Sequence, residues 1–599
     1  MRFKFLKTTC AILTMSMFMG SSVWAEDYYV TNQELSEKGN VTYTTGVTSE
    51  MSNASFWSER TYTDAKKVLM APQEIDEINA LALKTKATCM TDLEQEWKNY
   101  DADSLKNVLA EKVIPSKALY IKGSKIDNAS YFGNIKNQIS ETGYTGTRSV
   151  QYGICVKSTE IRDWPTNDII GYDADDTDDE MQSSSLTVND PFVVRQAVTI
   201  DGNLFYWGSS NHVDGWVDGE DIGLCANRDE WLDAWKVTNG EKDFLVVTQD
   251  KIVLEPSIFT TYSSEVKLKF SSILKLVAKE DIPKNIGERN AWNNYVVYLP
   301  TRNEEGQYEK KMALISEHCD VHVGFLPMTQ ENLIKVSLNC LGNRYGWGGM
   351  LDSMDCSAYT RNVYRCFGFE LPRNTTWQQL IPGTATDLTG MTEAEKQSFI
   401  ETMPAGTLLF FKGHTMVYLG SVDHVGYVVS ALGTASDSAG TLEILSIQSV
   451  AITPLTVRRR TGNTWLMDLQ SAVAFAVPQP EEIETETTTE TTETTTEQID
   501  RQLEPSRITK INAKKKSLKI FWKKVKGISG YKIQISTNKN FKKAKTITAK
   551  KKAQTKLVKG LKKKKLYYVR IRTYKVKKSK NKVITYYSDW SKYSKKKTK

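Results

Sequence analysis

The sequence is poor in the residues that build metal sites and disulfide frameworks. Of its 599 residues, 8 are cysteine and 5 are histidine. Seven cysteines follow residue 25 at wide, irregular intervals that do not match a disulfide framework. One optional disulfide, between Cys155 and Cys225, would bracket a single candidate domain. No CxxC or HExxH motif accompanies His318 and His322, which stand four residues apart. The sequence therefore predicts no metal and no other cofactor.

Long apolar runs are also lacking, with one exception at the start of the chain. The basic segment MRFKFLK precedes an apolar run from Ala11 to Val23, which ends in VWA before Glu26. This arrangement is typical of a secretory signal peptide and predicts one over residues 1–25. No later stretch has the length and apolar content of a membrane span. We therefore expect a secreted protein.

Acidic residues are nearly absent from the last hundred positions. Residues 501–599 contain 36 lysines and arginines but 2 acidic residues, a net charge of +34. The first 500 residues carry a net charge of −26. Such a split indicates a basic C-terminal module with a polyanionic partner. The alternative is that the lysines serve only solubility.

A glycine-rich turn followed by a helix distinguishes one cysteine from the others. Residues 344–359 have the sequence RYGWGGMLDSMDCSAY, and apolar residues recur after it at helical spacing. Asp355 stands at the N-cap position, so Cys356 is expected at the first position of the helix. The unpaired N–H groups and the positive end of the helix dipole favour a thiolate there. Cys356 is therefore the candidate nucleophile, whereas Cys340 and Cys366 fit buried apolar positions.

A cysteine nucleophile needs a base, and His414 is the candidate. It lies in GTLLFFKGHTMVYLGSV, which predicts a strand, and GYVVSAL predicts a neighbouring strand over residues 426–432. Across this pair Ser430 would face the imidazole as a third catalytic group. A register slip of one residue would instead make Ser430 an ordinary strand residue. His212 and His424 fall in loop-like segments and favour structural or solvated roles.

Four motifs occur here together and in order: RYGWGG, DCSAYTRNVYRCFG, LPRNTTWQ and GHTMVYLG. With them, residues 327–477 resemble the NlpC/P60 family of cell-wall cysteine peptidases. The resemblance implies an α+β, papain-like domain with the same nucleophile and base, and with Tyr345 as a polar group near the thiol. It also implies a substrate pocket lined by Asp355, Ser357, Asn374 and Thr375. The chain departs from the family at Thr407, where relatives commonly carry aspartate, and at Ser430, where many carry a second histidine.

The segments before this domain predict helices and then short strands. Residues 26–148 indicate a helical region, with helices expected over 64–82, divided at Pro72, and over 104–113. Two later segments alternate apolar and polar residues between turns and resemble bacterial SH3-like β-barrels, 149–228 and 243–326. In related enzymes such barrels wall off one end of the groove. The acidic loop 173–180 lacks the pattern of a calcium site and is expected to be solvated.

The segments after it predict a spacer and a second folded module. Residues 478–505 are rich in threonine and glutamate and indicate an extended linker. Residues 506–599 resemble a basic fibronectin type III β-sandwich, with lysines alternating with apolar residues. Its expected core aromatics are Trp522, Tyr531, Tyr568 and Trp590.

These features predict a secreted or cell-wall-associated peptidoglycan hydrolase that cleaves stem peptides by Cys–His catalysis. The resemblance implies the bond between γ-D-glutamate and the diamino acid. The expected partners are stem peptides and, for the basic module, an anionic cell-wall polymer, with no nucleic acid. Two alternatives stay open: a CHAP-like N-acetylmuramoyl-L-alanine amidase, and a wall-binding protein whose peptidase domain is inactive, an alternative that Ser430 keeps open.

Overall fold

The chain forms two compact units, residues 1–482 and residues 483–599. The computed structural model describes residues 33–35, 41–44, 46–61, 63–436, 444–459, 461–476, 506–539, 541, 544–579, 582–588 and 590–599. The predicted signal peptide and the predicted linker lie outside these residues. Within the described part, no helix combines the length and apolar composition needed to cross a membrane.

Short helices and strand pairs make up the N-terminal region. The elements are β1 (Gln33–Leu35), β2 (Thr42–Thr44), α1 (Ala54–Ser58), α2 (Pro72–Lys84), β3 (Tyr100–Asp101), α3 (Ala102–Ala110), β4 (Tyr120–Ile121), β5 (Ser124–Lys125), α4 (Asn128–Glu141) and β6 (Thr147–Arg148). The expected helix over 64–82 is wrong in its first half, because Pro72 begins α2 instead of dividing two helices. Proline suits that position, since the N–H it lacks would have no partner in the first turn.

The first β-rich segment forms one open antiparallel sheet of seven strands. The segment contains eight strands, of which all but β9 belong to this sheet: β7 (Gln151–Cys155), β8 (Thr159–Arg162), β9 (Ile170–Gly171), β10 (Gln182–Leu186), β11 (Pro191–Ile200), β12 (Asn203–Ser209), β13 (Asp214–Asp218) and β14 (Ile222–Leu224). The order is β10-β8-β13-β12-β11-β7-β14, while β9 pairs with β4 instead. Helix α5 (Arg228–Trp235) follows. Cys155 and Cys225 are free thiols, so the optional disulfide between them is not formed.

The second β-rich segment consists of three small sheets around one apolar core. Its strands are β15 (Phe244–Val247), β16 (Lys251–Val253), β17 (Lys267–Lys269), β18 (Ile273–Lys275), β19 (Asn294–Arg302), β20 (Tyr308–Ser316) and β21 (Val321–Val323). They pair as β18-β15-β21, β16-β17 and β19-β20. Among the described residues none of these sheets closes into a barrel, and the SH3-like assignment of both segments stays a prediction.

A six-stranded antiparallel sheet with helices on it follows. The elements are α6 (Gln330–Leu338), α7 (Cys356–Arg365), α8 (Thr375–Gln378), β22 (Ala385–Asp387), α9 (Glu393–Ile400), β23 (Leu408–Phe411), β24 (His414–Val422), β25 (Val425–Ser436), β26 (Ile444–Pro454), α10 (Trp465–Asp468) and β27 (Ser471–Val473). The strand order is β22-β27-β23-β24-β25-β26. Helix α7 packs on β24 and β25. Alternate residues of β24 point to opposite faces of the sheet. On one face, Val417 and Leu419 pack in the same core as Tyr359 and Val363 of α7, as the strand pattern predicts.

The second unit contains two antiparallel sheets. The strands are β28 (Ile508–Lys514), β29 (Ser517–Trp522), β30 (Gly530–Ser536), β31 (Lys545–Lys550), β32 (Thr555–Lys559), β33 (Leu566–Ser579), β34 (Lys582–Tyr587) and β35 (Ser594–Lys597). One sheet has the order β28-β29-β32 and the other β31-β30-β33-β34, with β35 also paired to β33. Trp522 and Tyr531 are buried between the sheets as predicted. The fibronectin-like assignment stays a prediction.

Two of the four expected core aromatics of this unit were placed wrongly. Tyr567, not Tyr568, is the buried tyrosine of β33, because adjacent strand residues point to opposite faces. Trp590 lies under two guanidinium groups, those of Arg570 and Arg572, at 4.6 and 4.5 Å from its ring centre. It is only partly buried.

Candidate active site

Cys356 is the first residue of α7 and is nearly buried. The carboxylate of Asp355 caps the helix by accepting the N–H of Ala358 at 2.8 Å. The sulfur of Cys356 lies 3.8 Å from the hydroxyl of Thr375, and the backbone N–H of Thr415 acts to lower the pKa of the thiol. Since Thr415 follows His414, the thiol lies beside the start of β24.

His414 begins β24 and is held from the next strand. Its Nε2 lies 3.0 Å from the hydroxyl of Ser430, and both residues are buried. Because Val417 pairs with Val429, Ser430 stands diagonally across from His414 on the same face of the sheet. Among the described residues, no hydrogen bond joins His414 to the sulfur of Cys356. With Nε2 occupied, Nδ1 is the ring nitrogen left for the thiol.

Two aromatic rings that the sequence did not point to enclose this imidazole. The rings of Phe411 and Trp465 lie 5.3 and 5.7 Å from the His414 ring, centre to centre. The guanidinium of Arg459 lies 4.5 Å from the centre of the Phe411 ring. Burial and Arg459 together lower the pKa of His414 to about 4. The imidazole is therefore neutral at pH 7 and able to accept a proton.

The thiol is protonated at rest, contrary to the expectation of a thiolate. Burial, and after it the charge of Asp355, raise the pKa of Cys356 to about 11. The N–H of Thr415, the hydroxyl of Thr375 and the charge of Arg373 act in the opposite direction but do not outweigh burial. The helix start alone therefore does not generate a thiolate here, and the base must take the proton during attack.

Tyr345 is buried beside the nucleophile. Its backbone N–H donates to the carbonyl of Gln448 at 3.0 Å. Its ring packs on Gly433, where an added Cβ would lie 2.8 Å from a ring carbon, so only glycine admits the ring there. Burial, Asp355 and Cys356 raise the pKa of the phenol, which therefore remains a hydrogen-bond donor.

Asp355 and Ser357 are buried against an arginine instead of lining an open pocket. Arg373 donates to both carboxylate oxygens of Asp355, at 2.6 and 3.1 Å, and to the hydroxyl of Ser357 at 3.1 Å. Asp355 also accepts the N–H of Gly348 at 3.2 Å. Burial opposes its ionisation, but Arg373 and these donors hold its pKa below the usual value. The pair stabilises the start of α7.

Asn374 and Thr375 are only partly buried, and Thr375 lies at the sulfur of Cys356. Asn374 caps α8 by accepting the N–H of Trp377 at 3.0 Å, and this cap fixes Thr375 near Cys356. The four residues expected in the substrate pocket thus divide into two buried ones and two accessible ones. Thr407, the other departure from the family pattern, is buried, and its hydroxyl donates to the carbonyl of Pro404 at 2.8 Å.

Both β-rich segments hold the glycine-rich turn that precedes the nucleophile. Gln182 of β10 donates to the carbonyl of Gly348 at 3.1 Å, and a Cβ on Gly348 would lie 2.5 Å from the Gln182 carbonyl oxygen. On the other side, Lys267 and Lys269 of β17 pair with Asp352 at 3.0 and 3.8 Å. Gly348 and Asp352 have φ of 64° and 57°, a conformation that these contacts help to fix.

The acidic loop 173–180 is only partly solvated, which corrects the sequence expectation. Asp179 is buried and pairs with Arg162 at 2.7 Å. Asp178 is partly buried: burial raises the pKa of its carboxyl, and the backbone N–H of Trp347 opposes that rise. The second half of the loop therefore packs against the turn beside the nucleophile.

Of the remaining histidines, His212 is expected to have a structural role and His424 a solvated one, and no metal site is expected at His318 and His322. His318 is exposed, and Nδ1 of His322 lies 2.9 Å from the carbonyl of Gly324. His424 lies exposed in the turn between β24 and β25, and His212 is buried. Across the described residues no cluster of three or more histidine, cysteine or acidic side chains is arranged to hold a metal ion.

Comparison with known proteins identifies the family of this domain. Residues 342–446 match the NlpC/P60 family. The chain is 26% identical over 171 residues to dipeptidyl-peptidase 6 of Lysinibacillus sphaericus, a match that covers 28% of this chain and 57% of that relative's length.

Two solved structures are also similar to this chain. An NlpC/P60 endopeptidase of Photobacterium damselae subsp. piscicida superposes with a TM-score of 0.54 at 16% identity, covering 71% of this chain and 98% of its own. An NlpC/P60 protein of Bacillus cereus ATCC 10987 covers 50% of this chain and 83% of its own, at 17% identity and a TM-score of 0.32. The first of these likenesses is one of fold. Residues 342–446 of this chain therefore form an NlpC/P60 family domain, and that domain contains Cys356, His414 and Ser430.

Proposed function

We propose that this chain is a cysteine peptidase that hydrolyses the stem peptides of peptidoglycan. The observation that carries the proposal is the arrangement at the start of β24. There Ser430 occupies Nε2 of His414, while the backbone N–H of the next residue, Thr415, acts to lower the pKa of the Cys356 thiol. A thiol at a helix start and an oriented imidazole at the start of the strand on which that helix packs are the two groups that nucleophilic acyl transfer needs.

The chemistry begins from a neutral thiol and a neutral imidazole. As the sulfur of Cys356 attacks the peptide carbonyl, Nδ1 of His414 takes the thiol proton and the hydroxyl of Ser430 accepts the Nε2–H of the ring. The imidazolium then protonates the leaving amine, which departs and leaves a thioester. Water hydrolyses the thioester with His414 again as base, and this step restores the thiol.

The negative charge on the carbonyl oxygen needs donors during both steps. The unpaired N–H groups of the first turn of α7 point toward the N-terminal end of the helix, where the thiol lies. The phenol of Tyr345, protonated and adjacent to Cys356, is a further donor. We assign the oxyanion to these groups.

For the scissile bond we propose the link between γ-D-glutamate and the diamino acid. The support is the membership of residues 342–446 in the NlpC/P60 family together with the four motifs they contain. Digestion of purified peptidoglycan followed by mass spectrometry of the products tests this choice. A new N-terminus on the diamino acid is the expected result. Release of intact stem peptides starting with alanine would establish the amidase alternative instead, and no released product would favour a wall-binding protein.

Inhibitors test the class of catalysis in the same assay. Iodoacetamide should abolish product release because it alkylates the nucleophile, whereas EDTA should have no effect because the mechanism uses no metal ion. Loss of activity in EDTA that zinc restores would contradict the Cys–His mechanism.

We further propose that the protein is exported and held at the cell wall by its basic C-terminal unit. The support is the signal-peptide pattern of residues 1–25 and the charge of +34 over residues 501–599. On β28, Lys510 and Lys514 are exposed, and Lys556 and Lys559 are exposed on β32 of the same sheet. An anionic wall polymer has the repeated charges that such a surface attracts. Fractionation of cells into culture medium, wall and cytoplasm tests the location, and recovery in the cytoplasm alone would contradict it.

A further inference from the structure

A buried chain of hydrogen bonds connects the first β-rich segment to the start of the nucleophile helix. Nε2 of His212 lies 2.9 Å from the hydroxyl of Ser184 on β10, and Arg373 donates its Nε–H to the same hydroxyl at 2.8 Å. Arg373 then pairs with Asp355, the residue before Cys356, at 2.6 Å. The four linked residues are between 1% and 6% exposed, so water does not compete with these bonds.

The direction of each hydrogen bond follows from the donors present. Arginine can only donate, so the oxygen of Ser184 accepts from Arg373. Burial lowers the pKa of His212, and the side-chain oxygen of Asn211 can only accept, so the neutral ring carries its hydrogen on Nδ1 and the hydroxyl hydrogen of Ser184 points to Nε2. Nε2 of His212 is then the acceptor, and its Nδ1–H donates to the side-chain oxygen of Asn211 at 2.6 Å. Each side chain in this series of hydrogen bonds is thus assigned as a donor or an acceptor, and the assignment is consistent with a neutral His212.

Arg373 also donates a hydrogen bond to a residue outside the NlpC/P60 domain, Ser184. The two terminal nitrogens of Arg373 bind Asp355 and Ser357, which lie on either side of Cys356 in sequence, and its Nε binds Ser184. A guanidinium is planar, so fixing Nε also fixes the direction in which the other two nitrogens point. The orientation of the Arg373–Asp355 pair therefore depends on a residue 189 positions earlier in the chain.

The electrostatic environment of the sulfur depends on the same pair. Asp355 raises the pKa of Cys356 and Arg373 lowers it. When Arg373 is held against Asp355, the two charges act on the pKa of the thiol in opposite directions. If Arg373 were released, the negative charge of Asp355 beside the thiol would be less compensated, and the thiolate would become harder to form.

We propose that Ser184 and His212 are positioning residues for the nucleophile, acting through Arg373 and Asp355. The first β-rich segment would then take part in catalysis and not only border the groove. The proposal rests on the proposed function, in which Cys356 is the nucleophile. Its central measurement is the reactivity of the Cys356 thiol, which requires no peptidoglycan.

The test is the rate at which iodoacetamide alkylates Cys356 in the full chain, followed by mass spectrometry of the peptide that contains it, as a function of pH. Ser184→Ala should slow alkylation at pH 8 by about threefold to tenfold, because a hydrogen bond to a charged group is lost. It should lower kcat on a soluble stem peptide by a similar factor with KM changed less than about twofold. Ser184→Thr, which keeps the hydroxyl, should restore both values.

A matched control separates this effect from a general loss of packing. Ser209 lies in the same sheet, is equally buried, and accepts from an arginine, Arg195, at 2.6 Å, but it does not touch the network. Ser209→Ala should leave the alkylation profile of Cys356 unchanged. If Ser184→Ala and Ser209→Ala have the same alkylation profile and the same kcat, Ser184 is only a packing residue and the proposal is wrong.

A second pair of variants tests His212 and covers the case in which Ser184→Ala does not fold. His212→Gln keeps an acceptor for the Ser184 hydroxyl and should resemble wild type, whereas His212→Leu should slow alkylation as Ser184→Ala does. Combining His212→Leu with Ser184→Ala should slow alkylation no more than the worse single change does, because both act through the same series of hydrogen bonds. Equal profiles for the Gln and Leu variants would remove His212 from the proposal. A shifted alkylation profile in a protein that releases nothing from peptidoglycan would contradict the proposed function alone.

Discussion

The candidate active site and the C-terminal unit use charge in opposite ways. Around Cys356 the charged groups are few, buried and paired, as in the contact between Arg373 and Asp355. Residues 501–599 contain 36 basic residues and only two acidic ones, Glu504 and Asp589. A buried pair acts at fixed distances and sets a pKa or an orientation, whereas exposed charges of one sign attract a partner without fixing its geometry.

The two parts of the protein can therefore contribute to function in different ways, one to chemistry and the other to retention. Position-specific chemistry needs groups that stay within a few tenths of an ångström, which burial in the sheet of β23, β24 and β25 provides. Retention at a polymer needs only many weak contacts, which lysines on an exposed sheet supply.

The largest effect is expected from removing the sulfur. Cys356→Ala should lower the release of peptides from peptidoglycan by more than about a thousandfold, because the sulfur that forms the acyl intermediate is lost. Cys366→Ala is the matched control: Cys366 follows the same helix, is fully buried and does not touch the site, so activity should remain. Both variants should bind walls like wild type. Full activity of the Cys356→Ala protein would exclude the assigned nucleophile.

The pH dependence of kcat/KM should show the lowered pKa of His414. Catalysis needs the neutral ring, and a pKa of about 4 leaves about nine-tenths of the rings neutral at pH 5. A histidine with its ordinary pKa near 6.5 would leave only about 3% neutral at that pH. The expected rate at pH 5 is therefore close to the rate at pH 7, measured on a soluble peptide. Iodoacetamide alkylation of Cys356 should keep rising toward the thiol pKa of about 11.

A loss of rate with an apparent pKa near 6.5 would contradict the burial argument for His414. Likewise, alkylation of Cys356 that reaches a plateau by pH 7 would mean that the helix start does produce a thiolate.

Deleting residues 483–599 should affect retention but not chemistry. The truncated protein is expected to sediment with purified walls about tenfold less well at low salt, because the one-signed surface is lost. Its kcat and KM on a soluble peptide should be unchanged. Raising the salt should release the full chain, since exposed charges are screened over about 8 Å at physiological ionic strength. Equal sedimentation of both proteins at low salt would show that the lysines serve only solubility.

The smallest effect is expected at Ser430. Its bond to Nε2 of His414 is between neutral groups and contributes roughly 0.5–1.5 kcal/mol, so Ser430→Ala should lower kcat by about three- to tenfold. Ser430→His, which restores the residue common in the family, should stay active. Identical pH–rate profiles and rates for wild type and Ser430→Ala would show that another group orients the imidazole.

The local pattern of the sequence was sufficient for the elements that carry the candidate site. An N-cap aspartate before an apolar helical repeat placed Cys356 at the start of α7, and alternation placed His414 and Ser430 on paired strands. These signals are local because capping and alternation depend on neighbours within a few residues. The same reasoning failed at Tyr568, where an error of one residue in the alternation exchanged the buried face for the exposed one.

Tertiary structure alone decided the electrostatics and the support of the site. The protonated thiol follows from burial, which a helix pattern does not reveal. Arg373 stands in a motif that the sequence did show, but its partner Ser184 lies 189 residues away, and no periodicity connects them. Asp178 and Asp352 became part of the site surroundings only because two separate segments fold against the glycine-rich turn. Such contacts depend on how whole segments pack, and packing, unlike capping or alternation, leaves no fixed spacing in the sequence.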